Sequence, residues 1–381
     1  MISWLIKSKS KYLVLSKFCY NFANTLQETF GAVMLYQFGI PVYLIFLVYG
    51  LRFLITGLIT PFYLIFASKI GIAKTILISD LFSILCAFML LTGINNHNLI
   101  LFIVIIGLTG LSNPSSDALS NHYVETESRG KYNSLMNITK VLAVALSTIL
   151  ISLNIISNRT KYLFFLVMIL FLLEGYFLLK VDYKIKYHIC AFKDTFKYLK
   201  ESSSKYKLIY SLRTNHIIER LFLPLYVFIA IKDFKLFSFI IIISLLFQFV
   251  TLLIVGIFTD KNIYRTNNIV SFIKIIITSI FIFFQNKFII SLGKIFSDNF
   301  EKVYETSIQT SIQNIIKSSC DSSELLSSVG QMSLCFTEVI IFISLSLVSK
   351  LFGNLVFIVM FILSIISTIL IDVYIRNYKL K

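Results

Sequence analysis

The sequence predicts an all-α polytopic membrane protein with twelve transmembrane helices, on three observations. Of its 381 residues, 57% are hydrophobic and only 14% are charged, a balance that no ordinary soluble domain carries. Apolar runs of about 18 residues or more recur along the whole chain, each long enough to cross a hydrocarbon core of about 30 Å. The runs are continuously apolar and do not alternate over about ten residues, which disfavours the strands of a membrane barrel.

Taken in order, the first span is expected at 14–37. It follows a basic lead, MISWLIKSKSKYLVLSK, that lacks a small-residue cleavage site after an apolar core and so reads as a retained cytoplasmic tail. Further spans are expected at 42–67, 75–93, 98–123, 134–156 and 162–180. A polar stretch at 181–211 then interrupts the pattern. Within it Ile189, Phe192, Phe196 and Leu199 share one helical face, which suits either an amphipathic helix on the inner leaflet or a flexible basic linker. Six more spans follow at 212–231, 237–258, 268–285, 288–309, 327–349 and 353–375. The chain therefore divides into an N-terminal six-helix half (1–180), a central cytoplasmic loop (181–211) and a C-terminal six-helix half (212–381).

Orientation follows from the basic residues. The termini and the loops on their side hold twenty-three of the 35 Lys and Arg, against six in the opposite loops. Positive charge is retained inside, so both termini are expected in the cytoplasm of a cell whose plasma or inner membrane the chain crosses many times. The same loops account for the formal charge of +16 without a nucleic-acid partner. The five cysteines are scattered, with no CxxC and no histidine at ligand spacing. Neither a disulfide framework nor a zinc site is expected, nor any cofactor.

The two halves share a loop. LIFASKIGIAK (64–74) lies between spans 2 and 3, and GIFTDKNIYRT (256–266) between spans 8 and 9. At an offset of 192 residues Phe66 meets Phe258, Ser68 meets Asp260 and Lys69 meets Lys261. Here the chain resembles the major facilitator superfamily, whose signature in this loop runs G-x-L-A-D-R-x-G-R-R. Gly256, Asp260, Lys261 and Arg265 match it in the second half, and Lys69 and Gly71 in the first, where Ser68 replaces the acid. ETESRGKYNS, after span 4, is similar to a loop common at that place in the family. The glycine-and-proline motif of span 5 in drug–proton antiporters is missing from NITKVLAVALSTILISLN. The resemblance implies two pseudo-symmetric halves around a central cavity lined by spans 1, 4, 7 and 10, with these loops forming a cytoplasmic gate.

Polar side chains, read from spacing alone, concentrate on those four spans. Asn21, Asn24, Thr25 and Glu28 share a face of span 1, and Thr109, Asn113, Ser116, Asp117 and Ser120 a face of span 4. Span 7 groups Asn215, Glu219 and Tyr226, with Arg220 beside them. Span 10 carries Ser291, Lys294, Asp298, Glu301, Lys302, Glu305 and Gln309 within an arc of about 100°. A polar stripe at bilayer depth must face protein or water. Matching depth pairs Glu28 with Arg52, and Lys274 with Asp298, on antiparallel neighbours. Glu338 in span 11 has no depth-matched partner on span 12. It is expected to carry a proton or to pair with a more distant helix. Asp80, Lys140 and Glu174 have structural readings.

The function these features favour is secondary transport by alternating access. A small solute would bind at mid-membrane, and proton exchange at a carboxylate would drive export. Acids outnumber bases near the proposed cavity, which favours a cationic or polar amphipathic solute. A nutrient permease or facilitator of the same fold, or a sensor or immunity protein built on it, remains open. GxxxxGK[ST], HExxH and GxSxG are all missing, and His97, His122, His188 and His216 are dispersed, so neither ATP hydrolysis by this chain nor a membrane enzyme is expected. The partners expected are lipid, the solute and protons, and the chain is expected to act as a monomer.

Overall fold

The computed structural model describes the backbone of residues 10–95, 97–112, 139–143, 145–147, 149–150, 161–181, 204–259, 263–284, 286–318 and 323–379. Side chains at 10, 28–30, 64, 112, 161, 204–210, 234, 245, 249–250, 252–259, 263–267, 302, 305–318, 323–328 and 375–379 lie outside the described residues.

Among the described residues there are twelve helical stretches and no strand. These are α1 (Ser10–Gln37), α2 (Val42–Ile70), α3 (Ile72–Thr92), α4 (Leu99–Leu108, continued by a 3-10 turn at Thr109–Ser112), α5 (within 139–150) and α6 (Lys161–Leu178, continued by a 3-10 turn at Leu179–Val181). They continue with α7 (Ser204–Ile231), α8 (Phe234–Thr259), α9 (Ile263–Phe283), α10 (Lys287–Ser318), α11 (Ser323–Phe352) and α12 (Leu355–Lys379). By length and composition α2, α3, α6, α7, α11 and α12 can each cross a membrane.

Several helices run past the spans expected from hydropathy. α3 begins at Ile72 rather than 75, α7 at Ser204 rather than 212 and α11 at Ser323 rather than 327, and α10 continues to Ser318 beyond 309. Hydropathy locates the part of a helix that sits in lipid. Backbone hydrogen bonding carries the helix on through polar residues such as Ser204, Lys205 and Gln309. Expectations for 113–138 and for the central loop at 182–203 fall outside the described residues.

Among the described residues the turns are short. Gly71 alone joins α2 to α3 at φ 100°, a backbone region that strains residues bearing a Cβ. Asp233 Oδ1 accepts from the backbone N–H of Lys235 (2.8 Å) and Leu236 (3.3 Å) and caps α8.

Within the first six helices α6 packs on α1 and α3, and α4 on α2 and α3; within the last six, α10 packs on α8 and α9, and α12 on α7 and α9. The most extensive helix pairing joins the two sets, α2 against α11, and α7 also meets α1. The outer flanks are apolar: Leu81, Phe88, Phe165, Leu172, Phe239, Phe272 and Leu347 are all exposed. Thr56, Ser79, Glu219, Lys274 and Glu338 are buried instead. A surface greasier than parts of the interior fits lipid as the surrounding solvent.

Candidate functional site

The densest buried polar cluster among the described residues is built from four helices, each giving neighbours three or four residues apart on one face. α7 supplies His216 and Glu219, α9 supplies Lys274 and Thr278, α10 supplies Glu301 and Tyr304, and α12 supplies Ser364 and Thr368. Lys274 Nζ lies 3.5 Å from Glu219 Oε2 and in closer contact with Glu301 Oε2. The same ammonium stands over the Tyr304 ring, 4.9 Å from its centroid. Thr278 Oγ1 donates to Glu219 Oε1 (3.3 Å), and Ser364 Oγ donates to Glu219 Oε2. The ring of His216 meets Tyr304 edge-on at 4.9 Å. Asn215 Nδ2 donates to Ser367 Oγ one layer away.

The side chains of Lys274, Glu219 and Glu301 are 4%, 3% and 13% exposed. One ammonium therefore faces two carboxylates, with little water to screen them. Taking any one of the three away leaves a buried charge poorly compensated. His216, Glu219 and Glu301 also bring ligand-type atoms within 4.8 Å of one another, as a metal site would. Here the Lys274 ammonium takes the place against the carboxylates that an ion would need.

A second network ties α8 to α10. Lys294 Nζ pairs with Asp298 Oδ1 (2.5 Å), Ser244 Oγ donates to Asp298 Oδ2 (2.8 Å), and Gln248 Nε2 donates to the Asp298 carbonyl (2.9 Å). The Lys274–Asp298 pair expected from depth is thus not formed. Depth fixes the level of a charge but not its azimuth, and Lys274 points to Glu219 and Glu301 while Asp298 turns to its own helix and α8. The polar stripe of span 10 is accordingly divided between two neighbours.

The other site expectations distribute as follows. Asn21 and Asn24 are half-buried on α1, where Thr25 Oγ1 donates to the Asn21 carbonyl at 2.6 Å. Arg52 lies over the rings of Tyr49 (5.7 Å) and Phe53 (5.2 Å). Glu338 is fully buried on α11. Cys335, one turn earlier, is in electrostatic range of both Glu338 and Arg52. Arg220 is half-buried. Ser68 Oγ donates to the Ile65 carbonyl (2.9 Å), Lys69 is exposed, and Gly71 forms the α2–α3 turn. Asn113, Asp117, Asp260 and Lys261, and the side-chain positions of Glu28, Gly256, Arg265 and Glu305, lie outside the described residues. Sequence reading did not single out Thr278, Tyr304 or Ser364. The spacings 274/278, 301/304 and 364/368 were available, but nothing in a single helix says which faces meet.

Aromatic rings close the end of the bundle that carries the α1–α2 turn. Phe46 of α2 stacks on Phe222 of α7 with centroids 4.1 Å apart and planes at 8°. Tyr49 meets Phe222 at 5.3 Å, and Phe53 stacks on Phe342 of α11 at 5.6 Å. Tyr226, Phe357 and Phe361 extend the layer.

A family model described as Major Facilitator Superfamily matches residues 13–316. No curated protein sequence matches the chain. Among solved structures, the chain is similar to a variant of the nucleoside transporter NupG, with TM-score 0.71 and 14% identity over 96% of this chain and 99% of that one. It is also similar to a bacterial homologue of the iron transporter ferroportin in an outward-facing state, with TM-score 0.69 and 12% identity over 98% of this chain and 100% of that one. A third likeness is to the human organic anion transporter MFSD10 (TETRAN), with TM-score 0.65 and 11% identity over 95% and 98% of the two chains. At these identities the likeness establishes the fold alone.

Proposed function

The chain belongs to the Major Facilitator Superfamily, and on that premise we propose that it is a secondary transporter moving a small solute by alternating access, with export driven by protons. The observation that carries this reading is the pairing of α2 with α11, which joins the first six helices to the last six along a seam where Gly50 and Gly57 of α2 lie close against Phe342 and Cys335 of α11. With both termini in the cytoplasm, the Phe46–Phe222 stack lies toward the outer face, and the conformation is one closed to the outside. The halves, 1–180 and 212–381, would rock about this seam, and Asp260, Lys261 and Arg265 with Ser68, Lys69 and Gly71 would form the latch at the inner face.

The Glu219–Lys274–Glu301 cluster is the preferred coupling site. Its acids come from α7 and α10, two of the helices that the fold turns toward the centre, and its charge balance changes when one acid takes up a proton. Asn21, Asn24, Glu28, Asn113, Asp117, Asn215, Arg220, Asp298 and Glu305 are the candidates for contact with solute, and Arg52 and Glu338 for charge placed between the halves. The predominance of acids supports a cationic or polar amphipathic substrate. Uptake of a nutrient fits the same fold equally.

The test is flux in proteoliposomes, followed with and without an imposed pH gradient. Wild type is expected to accumulate a cationic solute against the proton gradient, and Glu219→Gln and Glu301→Gln to lose the gradient dependence. Flux of a solute that ignores both the gradient and these substitutions would overturn the coupling and leave a facilitator. A solute-independent protein with a stable partner in pull-downs would favour a sensor.

A further inference from the structure

A separate pair of acids lies in the first six helices. Asp80 of α3 and Glu174 of α6 are each 2% exposed. One oxygen of each, Asp80 Oδ2 and Glu174 Oε2, is fully buried and has no hydrogen-bond partner. The two helices pack on each other. Gly175, next to Glu174, lets α6 close on Leu77 of α3, one turn before Asp80, and a Cβ at 175 would overlap Leu77 Cδ2. Asp80 lies in electrostatic range of Glu174, and Lys17 of α1 in range of both.

The other groups around the pair are few among the described residues. α1 adds Cys19, in electrostatic range of Glu174. α2 packs the Tyr63 phenol into the same core as Ile76 and Leu178. The α4 turn presents the Thr109 carbonyl, which accepts from Ser79 at 2.6 Å. Lys74 and Lys180 at the helix ends are exposed.

One lysine therefore faces two desolvated carboxylates. Two ionised acids side by side would repel and leave both orphan oxygens uncompensated. A single proton relieves the repulsion and gives one acid a donor, and Lys17 stands in range of the charge that remains. We propose that Asp80 and Glu174 form a proton-binding site that holds one exchangeable proton between them, distinct from the Glu219–Lys274–Glu301 cluster. The site is independent of whether transport is proton-driven.

The geometry makes a sharp statement about variants. A proton shared by the two acids needs both carboxyls, so each single substitution abolishes the shared proton. Infrared difference spectra between pH steps, taken on the full chain in phosphatidylcholine/phosphatidylglycerol nanodiscs, read this directly through the protonated-carboxyl C=O band. Wild type is expected to show a band that shifts in D2O, and Asp80→Asn and Glu174→Gln are each expected to lose it. Lys17→Met is expected to move its titration midpoint upward, because removing a cation favours the neutral form. Labelling of aspartate carboxyl carbons with ¹³C in the unaltered protein must shift part of the band, which tests the site even where a variant does not fold. A wild type without the band, a band indifferent to aspartate labelling, or a band surviving in either acid variant would overturn the proposal. The readout is spectroscopic, so these outcomes are separate from success or failure of the flux experiment.

Discussion

Lys274 shows how much a single residue carries in this interior. Its ammonium touches two carboxylates and a phenol ring, and almost no water reaches it. Lys274→Met is therefore expected to destabilise the protein by about 3–5 kcal/mol, the usual cost of breaking a buried ion pair from one side. Adding Glu219→Gln and Glu301→Gln to it should restore most of the loss, since the remaining groups are then neutral. Thermal unfolding in nanodiscs checks both, and a triple variant no more stable than Lys274→Met would show that the charges do not act as a unit. Asp80 and Glu174 teach the complementary lesson. Each looked structural when viewed on its own helix, because Asp80 sits near a span end and Glu174 is a lone acid in an apolar run. Only their meeting across the α3–α6 contact, with unpartnered oxygens, gives them a chemistry.

Among the elements, α2 and α11 meet along a heptad of small contacts. Gly50 and Gly57 lie seven residues apart on α2, and Cys335 and Phe342 seven apart on α11. A Cβ at Gly50 would come 3.0 Å from Phe342 Cβ, and one at Gly57 3.2 Å from Cys335 Cβ. Small residues at such a crossing let two helices approach in lipid, where dispersion contacts must hold them together. Gly57→Leu is expected to cost about 1–3 kcal/mol through overpacking and to slow any motion about the seam. Lower unfolding temperature together with slower solute exchange would confirm it, and an unchanged temperature would show that the helices simply separate. At the α2–α3 turn, Gly71→Ala places a Cβ at φ 100° and is expected to destabilise by about 1 kcal/mol or more, read by the same measurement.

For the whole molecule, the closed end is the feature to test. Ser346 Oγ donates to the Tyr43 carbonyl at 2.8 Å, joining α11 to α2 just outside the aromatic layer. Cysteines at 43 and 346 bridged by a short bifunctional thiol reagent, in a background without Cys19, Cys86, Cys190, Cys320 and Cys335, should arrest flux, and a cleavable reagent should release it on reduction. Phe46→Ala should instead open a leak, measured as solute release from loaded vesicles without a gradient. By itself the sequence determined the class of fold: apolar runs of bilayer length, basic loops on one side and the matched loops at 64–74 and 256–266 leave little choice but a polytopic helical bundle of this family. Glu219 and Glu301 were legible from spacing on spans 7 and 10, and in the structure both stand against Lys274. The sequence could not choose partners. Lys274 was matched by depth to Asp298, yet joins Glu219 and Glu301, because helix periodicity fixes a residue's face and depth but not the rotation and neighbours of its helix. Those follow only from packing, where close contacts such as Gly175 against Leu77 and Gly57 against Cys335 decide which faces touch and hence which buried charges share a site.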